Sequence, residues 1–362
     1  MAGNQNLHMS KAGKTDEFYT QLSTIEDELR HYRKYFKDKV IFCNADDPAI
    51  GEDGQDHFGD GLGGYTSNFF RYFQLNFTEL GIKKLITTHY EADKPSYKFE
   101  IVNSDQDDQI GLPDYVKTPL EGNGDFRSPE CLALLEECDI VVTNPPFSLM
   151  KEYLPLLINS GKQFLVLGNM NHAMYAEIFP YIFRRQVWLG HNSGHFWFRV
   201  PDYYEPKGTD FKMDEAGQKW RRMGNICWFT NMDIEKRHQS LVETLYKKYT
   251  AEEYPQYDNF EAIHVKKVQD IPIDYDGIIS VPITFLDKHN PDEFDIVGEL
   301  NNGSDNELDF VKPLLSGEYV YKRIAIKNKH PKNWGDNCSF AHKLRNPFHI
   351  ICKKEEAFKR FF

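Results

Sequence analysis

Residues 139–150 read DIVVTNPPFSLM. A β-branched run ends in Asn144-Pro145-Pro146-Phe147, and a helix-compatible segment follows. Two consecutive prolines cannot continue a strand ladder, and they push the residue before them into an extended conformation. The pattern is a strand, a stiff corner and a helix, with the corner at the strand end where open α/β sheets hold their ligands. Such a corner holds the Asn144 side-chain oxygen and the Pro145 carbonyl so that both can accept hydrogen bonds from one amino group. Phe147 follows at once and can lie flat against a planar heterocycle. A reaction at the exocyclic amine of a base has these needs: the lone pair is delocalised into the ring, and acceptors on the amine hydrogens localise it. The competing reading is a plain structural turn, because Pro-Pro corners are common in loops. The strand before it and the helix after it weigh against that.

Working outward, short apolar runs alternate with amphipathic stretches. KVIFCN (39–44), KKLITTHY (83–90), DIVVTN (139–144) and KQFLVLGN (162–169) read as strands, as do QVWLG and NICWFTNMD (225–233). Between them SNFFRYFQLNFTEL (67–80), SPECLALLEEC (128–138) and SLMKEYLPLLINSG (148–161) read as helices. Ser67 is available as an N-cap, and Pro129 suits a first helical turn. YAEIFPYIFRR (175–185) reads as a broken helix. This alternation predicts an α/β fold with a mostly parallel sheet covered by helices on both faces. Past about residue 236 the rhythm gives way to aromatics, prolines and isolated short strands, which predicts a second, irregular module over 236–362 after a first domain over 1–235. Two polar stretches, the Gly- and Asp-rich 50–65 and the segment 91–109, read as surface loops.

With 362 residues and 40% hydrophobic content the chain can bury a full core. No apolar run approaches the roughly 18 residues needed to cross a bilayer, and the polar N-terminus lacks the apolar stretch of a signal peptide. The six cysteines fall at 43, 131, 138, 227, 338 and 352 with no CxxC, which fits reduced thiols in a cytoplasmic protein. A net charge of −12 excludes a surface that clings to nucleic acid as a whole, yet the last forty or so residues are basic. A local anionic partner is compatible with that asymmetry.

VVTNPPF resembles the catalytic motif of S-adenosylmethionine-dependent amino methyltransferases. The chain as a whole resembles the EcoRI-type adenine-N6 DNA methyltransferases, through KTDEFYTQ (14–21), DKVIFCNADDP (38–48), SNFFRYF (67–73), GDFRSPE (124–130), DIVVTNPPFSLMKEYL (139–154), YDNFEAIHV (257–265), VPITFLDKHNP (281–291) and RIAIKNK (323–329). The resemblance implies a Rossmann-like methyltransferase fold, with S-adenosyl-L-methionine as cofactor and double-stranded DNA as substrate. It implies that Phe18, Tyr19 and Thr20 surround the methionine end of the cofactor. Asn44, Asp46, Asp47 and Pro48 would form the principal cofactor loop, and Asp125 and Phe126 would read the cofactor adenine. Asn144, Pro145, Pro146 and Phe147 would hold the target adenine after it swings out of the duplex. Glu91 or Asp93 would meet the cofactor ribose. The usual glycine-rich FxGxG loop is absent, replaced by CNADDP.

Sequence reading is expected from the 236–362 region, with Lys266, Lys267, Lys322, Arg323, Lys327 and Lys329 as phosphate contacts. Cys338, His342, His349 and Cys352 cluster near the C-terminus without a strong zinc spacing, so no metal is expected. His191 and His195 read as loop or core residues. PDYYEPK (201–207) spaces its acids and lysine too tightly for a nuclease, so any cognate restriction endonuclease would be a separate protein in the same system, without a stable complex. Rival readings are an amino methyltransferase acting on cytosine N4, an RNA adenine or a protein glutamine, and a catalytically silent DNA-binding module.

Overall fold

The computed structural model describes residues 18–48, 66–92, 95–102, 114–200, 204, 208–301 and 312–332. Contacts divide the chain into two compact units that meet between Lys236 and Arg237.

Among its described residues the first unit carries ten strands: β1 (Tyr19–Thr20), β2 (Val40–Cys43), β3 (Lys84–Thr88), β4 (Tyr97–Val102), β5 (Asp114–Pro119), β6 (Ile140–Thr143), β7 (Gln163–Asn169), β8 (Trp188–Arg199), β9 (Phe211–Met213) and β10 (Lys219–Thr230). They form one sheet in the order β1-β8-β10-β7-β6-β2-β3-β4-β5, with β9 paired to β10. Its helices are α1 (Leu22–Leu29), α2 (Asn68–Asn76), α3 (Pro129–Glu137), α4 (Met150–Asn159) and α5 (Phe179–Phe183).

The expected α/β architecture is present. The sheet is parallel only at its centre, where β3, β2, β6 and β7 run together, and antiparallel on both flanks. Strands β2 and β6 are neighbours, but the chain leaves β2 toward β3 on one side and β6 toward β7 on the other. Their C-terminal ends form the switch point where such sheets bind ligands.

The central strands are buried along their whole length. Alternate residues Ile41, Cys43, Leu85, Ile140, Val142 and Leu165 pack with Ile25 and Leu29 of α1 and Phe69, Phe70 and Phe73 of α2. Phe42, Val141 and Val166 point the other way, toward the side that α3 and α4 cover with buried Leu134, Leu135, Leu154 and Leu157. Burying each large apolar side chain stabilises the fold by about 1.5–3 kcal/mol. On that side Gly168 admits α4 closely: a Cβ there would stand 2.9 Å from Met150 Cε and from the Phe229 ring. Ser67 caps α2 by accepting from Phe69 N at 3.1 Å, and Ser128 caps α3 by accepting from Cys131 N at 3.2 Å.

Two features depart from the sequence reading. Part of the expected surface loop at 91–109 is strand β4, in which Phe99 and Ile101 are buried while Glu100, between them, pairs with Lys98 at 2.8 Å. The expected short strands at 186–190 and 225–233 are the inner ends of 12-residue strands β8 and β10. Their outer halves are polar and aromatic, so an apolar-run criterion cuts them short. His191 and His195 lie in β8, where the His191 ring stacks on His31 with centroids 3.5 Å apart. The fully buried Glu28 of α1 accepts the N–H groups of His191 and Asn192 at 2.6 and 2.7 Å, which ties α1 to β8.

The second unit holds β11 (Ile263–His264), β12 (Ile279–Pro282), β13 (Phe294–Leu300), β14 (Leu314–Leu315), β15 (Glu318–Tyr319) and β16 (Arg323–Asn328). Four of these form a sheet in the order β11-β12-β16-β13, and β14 and β15 form a small hairpin. Phe285, Phe294, Ile324 and Ile326 are fully buried there. The insertion at 50–65, most of 201–207, Asp93 and the Cys338, His342, His349, Cys352 cluster lie outside the described residues. No helix among the described residues is long and apolar enough to cross a membrane.

Candidate active site

The exit of β6 behaves as the proline pair demands. Pro145 is buried, Pro146 is exposed with φ −54° and ψ 125°, and Phe147 opens a single 3-10 turn that leads into α4. Asn144 Nδ2 donates to the Phe18 carbonyl at 2.7 Å. A carbonyl can only accept, so this bond fixes which end of the amide is oxygen. Asn144 Oδ1 is left buried and makes no hydrogen bond among the described residues. The Phe147 ring is 8% exposed and packs against Phe18 at 6.1 Å and edge-on to His172 at 5.6 Å.

The exit of β2 lies beside it. Asn44 Nδ2 donates to Thr88 Oγ1 at 2.8 Å, and Ala45 N donates to the same hydroxyl at 3.0 Å. Ala45 takes a left-handed φ of 58°, which turns the chain sharply after the strand. The four expected loop residues then divide. Asp46 is buried; its carboxyl accepts from Ser67 Oγ at 2.6 Å and from the Asn144 backbone N–H, and meets Thr143 Oγ1. Burial pushes its carboxyl up to about 7. Asp47 accepts from His89 Nδ1 at 3.1 Å and from the Tyr97 hydroxyl, and this contact raises the His89 imidazole above its ordinary pKa. Pro48 is buried behind them.

The Asp125–Phe126 turn reaches the same edge because Gly124 allows it. Gly124 has φ +80°, and a Cβ there would stand 2.0 Å from the His89 carbonyl oxygen. Only glycine permits that approach. The Asn123 carbonyl accepts from Glu91 N at 2.9 Å, so the exit of β3 and this turn are joined. Asp125 accepts from Arg127 Nε at 2.9 Å and Nη2 at 2.7 Å, and the guanidinium holds its carboxyl below the usual range. Arg127 is anchored in turn by Glu152 at 2.9 Å. Phe126 stands edge-on to Tyr153 at 4.9 Å. The arrangement can offer an unused buried acceptor on Asn144, a fixed carboxylate and several aromatic faces at one sheet edge.

The profile of the family described as "Adenine-specific methyltransferase EcoRI" matches residues 6–354. The chain belongs to that family. It is 41% identical over 342 residues to the Type II methyltransferase M.EcoRI of Escherichia coli, covering 91% of this chain and 98% of that protein. It is 36% identical to the Type II methyltransferase M.MpnI of Mycoplasma pneumoniae over 302 residues, 82% of this chain and 86% of that protein. No solved structure is matched. Membership makes the protein an adenine-specific methyltransferase, and the fold just described is consistent with one.

For a family member, the N-terminal motif is drawn into the site from far along the chain. Tyr19 and Thr20 pair with Arg199 and Phe198 of β8, which sets Phe18 O over Asn144. Thr20 Oγ1 is buried and makes no hydrogen bond among the described residues. Three neighbours were not anticipated: His172, Arg221 and the Thr88–His89 pair. Arg221 lies 5.7 Å from the Phe18 ring centroid. His172 is 3% exposed, accepts from Asn169 N at 3.2 Å, and burial lowers its pKa to about 3. The signal for His172 was available, because it follows the C-terminal end of a parallel strand.

In the second unit, Lys266, Lys267 and Lys327 are exposed, with Lys327 3.7 Å from Asp276. Lys329 Nζ donates to Pro291 O at 3.1 Å, and Lys322 is half-buried. Arg323 corrects the expectation. It is 7% exposed and its guanidinium donates to Val265 O, to Ser280 O at 2.9 Å and to Ser280 Oγ at 3.3 Å. A guanidinium committed to buried carbonyls is not available to a phosphate.

Proposed function

We propose that the protein transfers a methyl group from S-adenosyl-L-methionine to N6 of an adenine everted from double-stranded DNA. The observation that carries this reading is Asn144 Oδ1, buried and unbonded while Nδ2 is pinned by Phe18 O. A buried acceptor without a partner costs about 1–3 kcal/mol, which a ligand N–H recovers. Asn144 Oδ1 and the Pro145 carbonyl accept the two amine hydrogens, and Phe147 meets the base plane. N6 thereby becomes a better nucleophile: its lone pair would bond to the methyl carbon as the carbon–sulfur bond breaks, the donor would leave as the neutral thioether S-adenosylhomocysteine, and one amine proton would pass to solvent.

When bound, S-adenosylmethionine supplies a methyl group made electrophilic by a sulfonium. The residues present suit such a group: the Phe18 face is on the Asn144 side, Thr20 Oγ1 is a second unbonded buried acceptor, and Asp125 is a carboxylate held ionised by Arg127. Asn44, Asp47, Pro48 and Phe126 complete this side, and Glu91 is the acid available for the ribose. Residues 1–235 serve as the catalytic domain and residues 236–362 as the target-recognition region, with Lys266, Lys267, Lys322, Lys327 and Lys329 as phosphate contacts. Relatives carrying the Type II name place such enzymes in restriction-modification systems. On this reading any cognate restriction endonuclease of the same system is a separate protein without a stable complex, and the enzyme works in the cytoplasm, away from membranes.

The test is to incubate duplex DNA with the protein and labelled S-adenosylmethionine, then digest to nucleosides. N6-methyladenine is expected. N4-methylcytosine or no labelled nucleoside would overturn the reading.

A further inference from the structure

The carboxyl of Asp46 lies where three segments meet: the exit of β2, the N-cap of α2 and the strand end that carries Asn144. Ser67 Oγ donates to Oδ1 at 2.6 Å, and the Asn144 backbone N–H donates to the same carboxyl. Thr143 Oγ1 contacts Oδ2 and also stands 2.9 Å from the Asn44 carbonyl oxygen. A hydroxyl carries one hydrogen. Were Asp46 ionised, that hydrogen would go to Oδ2, and the Thr143 and Asn44 oxygens would face each other with no proton between them. With the proton on Oδ2, the acid donates to Thr143 and Thr143 donates to Asn44 O. Each hydrogen then has an acceptor. The titratable groups facing Asp46 are Asp47 from its own segment, Cys43 from β2 and Tyr153 from α4, and none brings a positive charge that would favour ionisation.

We propose that Asp46, as a neutral acid, is a positioning residue that sets the backbone of Asn144, and not a ligand of the methyl donor. This rests on the reading of Asn144 as the holder of the target amine. The chain Asp46–Thr143–Asn44 joins β6 to β2 across the switch point, so its proton fixes the distance between the base-holding corner and the loop after β2. Loss of the proton on raising the pH through about 7 breaks the Thr143–Asn44 link. Turnover then falls while affinity for the donor holds.

The experiment compares the full-length protein with Asp46→Asn and Asp46→Ala. Asn carries an N–H where the acid carries its proton, so Asp46→Asn is expected to stay within about threefold of wild-type kcat at pH 6 and to lack the wild-type fall toward pH 8.5. Asp46→Ala is expected to lose about tenfold or more in kcat at both pH values, with the S-adenosylmethionine Kd by calorimetry within about threefold of wild type. Isotope-edited infrared difference spectra, wild type against Asp46→Asn, should show a protonated carboxyl stretch at pH 6. Absence of that stretch, a wild-type pH profile in Asp46→Asn, or a Kd for the donor weakened about a hundredfold with kcat intact would each overturn the proposal. If wild type methylates no adenine, the functional reading fails instead, and the infrared and calorimetric results still judge Asp46.

Discussion

Two buried polar clusters in this molecule are built from similar parts and end in opposite states. Behind β16, Arg323 donates into Val265 and Ser280, Ser280 meets the Tyr257 hydroxyl at 2.8 Å, and that hydroxyl meets His264 Nδ1 at 2.6 Å. At the end of β6 the side-chain oxygens Asn144 Oδ1 and Thr20 Oγ1 are also buried, yet they make no hydrogen bond among the described residues. Buried polar groups are overwhelmingly paired in folded proteins, so a closed network is architecture and an open acceptor calls for a ligand. The same logic takes Arg323 out of the expected DNA interface and supports the role proposed for Asn144.

Breaking the open cluster should have the largest effect. Asn144→Ala is expected to lower kcat by about 10²–10³-fold, the scale seen when one positioned transition-state contact is removed. Thermal unfolding and donor affinity should be close to wild type, since no protein partner is lost except Phe18 O. Turnover within a few-fold of wild type would remove Asn144 from its role. Breaking the closed cluster should act on stability instead. Arg323→Ala strands buried carbonyls and is expected to cost about 1–3 kcal/mol in urea unfolding. Its exposed neighbour on β16 sharpens the contrast: Lys327→Ala should leave stability within about 0.5 kcal/mol and reduce the slope of log K for DNA against log salt by about one. Loss of salt slope in a folded Arg323→Ala protein would break the comparison.

The pH dependence of stability tests the neighbourhood of Phe147. His172 is buried neutral, with its pKa lowered from 6.5 to about 3. The unfolded chain therefore binds a proton below about 6.5 that the folded chain refuses, and stability falls as pH drops through the window between these values. The contribution is at most about 1.4 kcal/mol per pH unit, and His172→Gln should flatten it. The smallest functional effect belongs to Thr20→Val. Its effect on stability should be a gain, of about 1–3 kcal/mol, because a buried hydroxyl without a partner is replaced by a methyl group. If that hydroxyl contacts the donor, its loss should weaken donor affinity by about three- to tenfold, measured by calorimetry.

Legibility varied by element. The four parallel strands and α2, α3 and α4 were readable because doubly covered strands are continuous apolar runs and the helices announce themselves with Ser67, Ser128 and Pro129. Strand β4 was hidden because Lys98 and Glu100 alternate with Phe99 and Ile101 inside an otherwise polar stretch, and Glu100 is tolerable there only through its lysine partners. The outer halves of β8 and β10 were missed for a related reason: pairing to each other, not a dry environment, sustains them. Asp46 and Asp47 look equivalent as adjacent letters, yet one meets Thr143 and Ser67 while the other meets His89 and Tyr97.

The amino-acid order alone determined the strand–corner–helix at Asn144-Pro-Pro-Phe147, because proline geometry is local and does not depend on what surrounds it. It also determined the α/β alternation of the central strands and helices, whereas the strand order that makes the switch point was decided by the tertiary structure. Which oxygens stay unbonded, which acid keeps a proton and which arginine turns inward were decided only in three dimensions. Those properties depend on partners that lie 126 residues apart for Asn144 and Phe18, 97 for Asp46 and Thr143, and 43 for Ser280 and Arg323. Hydrogen-bond satisfaction is a property of the assembled neighbourhood, and no residue carries it alone.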